Sequence, residues 1–368
     1  MKSFLRSILF LAFLAVLAGA AAIYYGINLW QHPWNSVTFT VRPGETFGQI
    51  NHRLAQQNLI INPRLFYHYV RHQGRLNQVR AGRFPIKAHA TMGEVYQALF
   101  LGPILADKVI IPEGKNLYEI AQILEKSNIT RAEDFIATAQ DPDLLVQLGI
   151  PGPSAEGYLY PDTYQFAHHT PAKAVITAMK ARFDQVADEL DHLQHPSLSP
   201  EEVVILASIV EKETGAGEER PLIAGVFLNR LAKRMRLQSD PTTIYGIFET
   251  FNGNLRRKDL ETYTPYNTYR IPRLPVGPIA NPGKASLAAV LHPAQHSYLY
   301  FVSNNDGTHT FSQTFKEHDQ AVTRLQKSRK ARQGKSWRDY QNNKRDVPDE
   351  TANDLATPED FSALPATN

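Results

Sequence analysis

The chain has 368 residues, 43% of them hydrophobic, so it is long enough for two folded units and too apolar to be disordered throughout. The net charge is only +3, and the one basic run, Lys327 to Arg332, is short and lacks interleaved aromatic residues, which argues against nucleic-acid binding. Cysteine is absent, which excludes disulfides, thiolate metal sites and cysteine nucleophiles.

The N-terminal segment is apolar enough to cross a membrane. Ile8 to Leu29 carries no charge and would be roughly 33 Å long as a helix. Lys2 and Arg6 precede it and the next basic residue is Arg42, so the positive-inside rule predicts a cytoplasmic N-terminus and a periplasmic remainder. A cleaved signal peptide ending near Ala18-Gly19-Ala20 is the alternative, although nine further positions up to Leu29 favour an anchor.

A strand, turn and helix pattern follows the anchor and then recurs. Val37 to Val41 reads as a strand, and Thr46 caps a predicted helix that ends near Asn58. Val109 to Ile111 begins the second copy. The apolar helix positions of the two copies are offset by 70 residues: Phe47, Ile50, Leu54 and Leu59 against Leu117, Ile120, Leu124 and Ile129. Each copy resembles half of a LysM-type module, a βααβ fold that binds N-acetylglucosamine polymers; a coincidental βα similarity is the alternative.

Two further segments precede the central region. EGYLYPDTYQF, Glu156 to Phe166, is too rich in Tyr and Pro for a regular helix and predicts a structured loop or edge strand. Its Tyr rings suit either sugar contact or a core corner. Thr170-Pro171 starts a predicted helix that runs to about Leu193.

A helix with buried residues on every face leads directly into two glutamates. Ser199 to Glu202 forms a capping box with Pro at the first helical position. Val203 to Val210 is apolar on all sides, so this helix belongs in the core, and Glu211 and Glu213 follow at its end. A desolvated carboxyl could act as a general acid in glycoside cleavage, whereas two solvent-facing glutamates of a last helical turn are the alternative; spacing does not choose between them.

Several ordered blocks follow, and with the helix they carry a resemblance to a known family. The blocks are LASIVEKET (206–214), AGVFLNRL (224–231), MRLQSDPTTIYG (235–246), YNTYRIPRLPVGPIANPG (266–283) and YLYFVSNNDGTHTFSQTFKEH (298–318). In this order they resemble the signatures of the endolytic murein transglycosylases, the MltG or YceG-like family. The resemblance covers about Val37 to Leu325, with small departures at Arg273 and Val276 that put substrate preference in doubt.

The resemblance implies a site and a reaction. It places the catalytic acid on Glu211, and it implies that several of a second set of residues line a saccharide cleft: Glu213, Asn229, Gln238, Asp240, Tyr266, Asn267 and Asn281. A lytic transglycosylase cleaves the MurNAc-GlcNAc bond and leaves a 1,6-anhydro-MurNAc end, so one Glu can donate and then accept a proton. The family role is to end the elongation of nascent strands at the membrane, which makes peptidoglycan, the inner membrane and peptidoglycan synthases the expected partners.

Two other classes of function compete with this interpretation. One is a membrane-anchored scaffold that binds peptidoglycan without cleaving it. The other is a metal-dependent amidase or peptidase that uses scattered histidines: His292, His296, His309 and His318. Pro293 interrupts the first pair and no HExxH motif occurs, so no metal or other cofactor is predicted.

The predicted fold class is α+β, with a transmembrane helix, a LysM-like βα module and a mixed α/β catalytic domain whose active-site half is largely helical. The predicted boundaries are 1–34 for the cytoplasmic N-terminus and anchor, 35–105 for the LysM-like module, 106–333 for the YceG-like catalytic domain and 334–368 for a polar, disordered tail.

Overall fold

A computed structural model describes residues 2–327 and shows a mixed α/β protein with two compact units. The first unit runs up to His192 and also takes in Val276–Gly283; the second is Leu193–Pro275 with the chain from Lys284 onward. The boundary predicted at 105/106 falls inside the first unit, between the two repeats. The polar tail predicted at 334–368 lies outside the described residues.

The first unit begins with the apolar helix predicted from the sequence. Helix α1 is Lys2–Asn28, and its stretch from Phe4 to Leu29 has a mean hydropathy of 2.3, with no part of its most apolar window buried against the protein. A helix of this length and hydropathy fits a single membrane span, and a signal sequence has the same properties.

The repeat predicted from the sequence is present. Each copy has two paired strands that are connected through helices. The strands of each pair run antiparallel, β1 with β2 and β3 with β4. The elements of the first repeat are β1 Val37–Val41, α2 Phe47–Gln56, α3 Pro63–His72, β2 Gly82–Ile86 and the following α4 Met92–Phe100. Those of the second are β3 Ala106–Ile110, α5 Leu117–Lys126, α6 Ala132–Ala139, α7 Pro142–Gln147, β4 Thr163–Ala167 and the following α8 Ala172–Glu189.

The equivalent helices of the two repeats start and pack in the same way. Thr46 and Asn116 each close a capping box with the residue three positions later. Every one of the eight apolar positions that defined the repeat is buried. The sequence pattern therefore predicted the inner faces of both α2 and α5 correctly.

The linker between α1 and the first repeat is fixed to that repeat. Gln31 bridges Thr91, and the fully buried His32 lies beside it. The His32 ring bonds the Lys87 carbonyl through Nε2 at 2.9 Å and accepts the Trp34 amide through Nδ1 at 3.2 Å. Trp34 Nε1 donates to the Gln57 carbonyl at 2.7 Å. These bonds leave the linker little freedom to swing.

The second unit is mainly helical and holds one strand pair, β5 with β6, among its described residues. Its elements are α9 Pro200–Glu213, α10 Arg220–Ala232, α11 Asp240–Gly246, α12 Arg257–Glu261, α13 Lys284–Leu291, β5 Tyr300–Ser303, β6 His309–Ser312 and α14 Phe315–Val322. A π-helical turn, Thr323–Lys327, continues α14. Helix α9 packs against α10, α11 and α13, so it forms the centre of this unit.

Replacing His32 by Ala is expected to destabilise the first unit by about 1–3 kcal/mol, because the Lys87 carbonyl and the Trp34 amide would lose their buried partner. Urea unfolding of the full chain in detergent measures the change, with the exposed His72→Ala as the matched control. Equal stability of the two variants would contradict this role for His32.

Candidate active site

Helix α9 runs through the core of the second unit and carries two glutamates in its last turn. Ser199 Oγ accepts the Glu202 amide at 3.2 Å, and the Glu202 carboxylate accepts the Ser199 amide at 3.0 Å, which is the predicted capping box. All residues from Val203 to Val210 are buried, as the all-apolar pattern predicts. Because no face of Val203–Val210 reaches solvent, the turn that follows this segment starts from a fixed backbone.

The two glutamates point to opposite sides of α9. A two-residue step corresponds to about 200° around a helix. Glu211 accordingly faces Ser286 on α13, whereas Glu213 faces Ser239 at the start of α11.

Glu211 is enclosed by hydrogen-bonding partners rather than by solvent. Its side chain is only 6% exposed, and its Oε2 accepts a hydrogen bond from Ser286 Oγ at 2.6 Å. Arg220 Nη2, at the start of α10, lies 3.5 Å from Oε1. A hydroxyl donor and a guanidinium therefore hold this carboxyl in one orientation.

Glu213 is held by a different hydroxyl group. Ser239 Oγ donates to its Oε1 at 2.5 Å. Burial raises the pKa of Glu213 to about 7; the nearby Asp240 also raises it, while the bond from Ser239 and the charge of Arg230 oppose the shift. A carboxyl with such a pKa can both donate and accept a proton near neutral pH.

A cavity of about 360 Å³ opens beside Glu213. Its walls combine aromatic rings with polar groups: Glu213, Arg230, Leu237, Gln238, Asp240, Tyr269, Tyr300, Phe301, Phe315 and His318. Aromatic faces beside carboxylate and amide groups suit the apolar faces and the hydroxyl groups of a sugar ring. Glu211 and its partners Ser286 and Arg220 are not among the residues that line this cavity.

Hydrogen bonds and ring contacts fix the polar wall of the cavity. Tyr269 Oη donates to Asp240 Oδ1 at 2.7 Å, and burial together with the charge of Asp240 raises the pKa of Tyr269. The Arg230 guanidinium lies 5.2 Å from the centre of the Tyr300 ring and donates through Nε to the Leu299 carbonyl at 2.6 Å. His318 stacks on the same Tyr300 ring, and burial lowers the pKa of His318.

The sequence-predicted cleft residues do not all come together. Glu213, Gln238 and Asp240 line the cavity. Tyr266 is partly buried, and its ring meets that of Tyr245 edge-on with 4.8 Å between centres. The remaining three, Asn229, Asn267 and Asn281, lie elsewhere.

The three asparagines use their side-chain amides to hold backbone. Asn229 donates to the carbonyls of His296 and Tyr298 at 2.8 and 3.1 Å. Asn267 is fully buried, donates to the Thr262 carbonyl at 2.6 Å and accepts the Tyr269 amide at 2.9 Å, so it positions one wall of the cavity.

Asn281 belongs to the first unit, where it is fully buried. It donates to Glu156 Oε1 at 2.7 Å and accepts the Leu159 amide at 2.9 Å. These bonds tie Val276–Gly283 to the aromatic EGYLYPDTYQF string, whose Tyr158 and Tyr160 are buried. The core-corner interpretation of that string therefore holds for these two rings.

Sequence reasoning missed several residues that surround the glutamates. Arg220 and Ser286 carry no local signal, since they meet Glu211 only through helix packing. Ser239 and Tyr269 do lie inside the QSDP and YNTY segments, so the matching blocks could have identified them.

The histidines of the metal alternative are engaged separately. His296 bonds the Leu222 carbonyl at 2.9 Å, and His309 Nδ1 lies 2.7 Å from Glu219 Oε2. His318 stacks on Tyr300. Within residues 2–327, no three His, Asp or Glu side chains are grouped as metal ligands.

Comparisons with known proteins identify relatives over most of the chain. A model of the YceG-like family matches residues 39–324. The endolytic murein transglycosylase of Bacillus subtilis (strain 168) is 31% identical over 303 residues, which are 78% of this chain and 84% of that protein.

Two further proteins of the same kind are similar to this chain. The endolytic murein transglycosylase of Streptococcus pneumoniae (strain D39) is 29% identical over 363 residues, and the match covers 87% of this chain but 65% of that longer protein. A crystal structure of a YceG-like protein from Listeria monocytogenes is 33% identical, with a TM-score of 0.54; the match covers 78% of this chain and 99% of that one.

Raising the pH through neutrality is expected to destabilise the second unit through Glu213. The pKa of Glu213 is 4.5 in the unfolded chain and about 7 in the folded protein. Between these two pH values the folded state therefore holds a proton that the unfolded state has released. The stabilisation is complete below the lower value and is lost as pH rises through the upper one, by at most about 1.4 kcal/mol per pH unit.

Denaturant unfolding across this pH range tests the linkage, with Glu213→Gln compared against the wild type and against the exposed Glu218→Gln. Only Glu213→Gln should lose part of the slope. An unchanged slope in that variant would place the folded-state pKa near its ordinary value.

Proposed function

This chain belongs to the YceG-like family, and from that premise we propose that it is a membrane-anchored endolytic murein transglycosylase. It is a lytic transglycosylase that acts on peptidoglycan, in line with its relatives. We further propose which bond the enzyme cleaves, which product it forms and which residue is the acid. The observation that carries it is the pair of glutamates that directly follow a helical segment, Val203–Val210, with no solvent-facing side.

Glu211 is the proposed acid. It occupies the position that the family resemblance assigns, and a carboxyl that is 6% exposed between Ser286 and Arg220 is held for proton transfer rather than for solvation. Proton donation requires the protonated form, and Ser286 can reverse its hydrogen bond, because a hydroxyl both donates and accepts.

The proposed reaction needs no water and no second carboxyl. Glu211 protonates the leaving glycosidic oxygen as the bond from C1 of N-acetylmuramic acid to that oxygen breaks. The C6 hydroxyl of the same sugar then bonds to C1 and returns its proton to Glu211, which leaves a 1,6-anhydro end. The nucleophile is tethered to the reacting carbon, so the second step has a high effective molarity.

Glu213 is the second candidate for the acid. A specific observation favours it: its pKa of about 7 and the adjoining cavity are what a general acid at neutral pH needs. On this alternative, Gln238, Asp240 and Tyr269 would orient the sugar at the bond that is cut. With Glu211 as the acid, the same residues form a neighbouring glycan subsite.

The first unit supplies the proposed attachment. Helix α1 anchors the chain in the inner membrane with its N-terminus in the cytoplasm, and the enzyme works in the periplasm on nascent strands, near the synthases that make them. The βααβ order of the first repeat supports a LysM-like role in holding N-acetylglucosamine polymers. Anchoring confines the enzyme to newly made strands and so raises the local encounter rate.

The rival function is a peptidoglycan-binding scaffold without activity. It shares the membrane anchor and the glycan contacts, and differs only in giving both glutamates a structural role. Cleavage by the purified chain separates the two.

Glu211→Gln is expected to lower glycan cleavage by at least ~10²-fold while the protein stays folded, because the amide cannot transfer a proton. The assay is release of fragments from uncrosslinked glycan strands, run in parallel on Glu213→Gln and on the exposed control Glu218→Gln. If Glu213→Gln is the inactive variant and Glu211→Gln is active, the acid is Glu213.

Mass spectrometry of the products is expected to find internal cuts that end in 1,6-anhydro-N-acetylmuramic acid. Such ends lack one water relative to reducing ends, because the C6 hydroxyl replaces water as the nucleophile. Reducing ends would instead indicate a hydrolase, and absence of cleavage by the wild type would favour the scaffold.

A further inference from the structure

The first repeat is strongly basic in a chain whose overall charge is nearly balanced. Between Glu45 and Glu94 the sequence holds seven Lys or Arg residues and no Asp or Glu. Arg53 pairs with Glu45, and Arg83 pairs with Asp107 at 2.7 Å. The other five have no ion-pair partner in the part of the chain that the structure describes: Arg64, Arg71, Arg75, Arg80 and Lys87.

Two of these charges, Arg64 and Arg71, lie along α3, and a third, Arg75, follows three residues after the helix ends. Arg64, His68 and Arg71 follow one another at intervals of three or four residues, which places them on one side of the helix axis. Phe66 and Val70 are fully buried on the opposite side. We call Arg64, His68, Arg71 and Arg75 the basic stripe.

The start of α3 lies against the end of the apolar helix. Gly26 of α1 approaches α3 so closely that a Cβ at this position would come within 2.8 Å of Leu65 Cδ2 and 3.6 Å of Ile61 Cγ2. The apolar span ends at Leu29, three residues later, which is roughly 4.5 Å along a helix. If α1 crosses a membrane, Leu65 and Ile61 thus lie at the depth of the headgroups, with Arg64 between them in the chain.

The same region exposes apolar side chains suited to that depth. Ile61 is 42% exposed and Tyr67 is 37% exposed, beside the basic stripe. The bonds of His32 and Trp34 fix the linker to the repeat, so α3 cannot move away from the end of α1 without breaking them. The ten residues of α3 extend over about 15 Å, which is one to two Debye lengths, so Arg64, His68 and Arg71 lie within that distance of the headgroups.

From this placement we propose that the basic stripe docks the first repeat on anionic phospholipid headgroups of the leaflet where α1 ends. The occupant follows from charge complementarity and from the contact of α3 with the last turn of the apolar helix; basic residues next to a membrane span each strengthen binding to an anionic surface. The inference rests on the anchoring part of the proposed function. It adds a second attachment, which orients the repeat on the membrane.

The absence of cysteine allows a direct test with the full chain. His68→Cys carries a fluorescent label in vesicles of phosphatidylcholine, with or without phosphatidylglycerol, that contain a headgroup-level quenching lipid. We expect stronger quenching in the anionic vesicles and a decrease when salt is added. Arg64→Gln, Arg71→Gln and Arg75→Gln together should weaken docking by roughly fivefold for each charge removed.

The matched control removes three exposed positive charges from the second unit: Arg256→Gln, Arg257→Gln and Lys258→Gln. It should leave the quenching unchanged. Equal quenching in both kinds of vesicle, or equal behaviour of the two triple variants, would overturn the docking proposal. So would loss of quenching when soluble glycan fragments are added, since the stripe would then be a glycan site.

Two measurements on the same vesicles separate this inference from the proposed function. Flotation with vesicles of either composition reports insertion of α1, independent of lipid charge. Glycan cleavage reports the enzyme. Cleavage and flotation without charge-dependent quenching would reject the docking alone, and charge-dependent quenching without cleavage would support the docking while rejecting the enzymatic proposal.

Discussion

The second unit depends on one constraint: the middle of helix α9 is apolar on every face and must be buried on all sides. Val203 to Val210 must be covered on all sides, and α10, α11 and α13 supply that cover. Each fully buried aliphatic side chain contributes roughly 1.5–3 kcal/mol of transfer free energy, so the position of the helix is strongly determined. A carboxyl at the end of such a helix has a well-defined position, because the backbone that carries it cannot shift. The chemistry proposed for Glu211 and Glu213 follows from the burial of the residues before them.

The two glutamates lie in different surroundings. Glu211 lies between a hydroxyl and a guanidinium, and Glu213 adjoins a cavity walled by aromatic rings. Helix geometry alone requires that residues two apart face different neighbours. The structure therefore contains one enclosed carboxyl and one carboxyl poised near neutral pH, and the two need not act on the same atoms.

The first unit is built from two repeats, and the first repeat is joined to the apolar helix α1. Two strand-helix-strand repeats bury equivalent positions, and the linker that leads from α1 is bound into the first of them through His32. The basic stripe lies on the repeat that touches the apolar helix, as expected for a module whose surroundings include a membrane surface.

The sequence by itself determined the apolar helix, the repeat, the capping boxes and the core helix, because each depends on residues within a few positions of one another. Ordered blocks also determined the family. Tertiary structure decided which side chains meet: Ser286 and Arg220 reach Glu211 from distant helices, and Asn267 and Asn281 are turned inward to hold backbone. A polar residue in a family motif serves a ligand or the backbone according to burial and partners, which depend on packing between segments far apart in the chain.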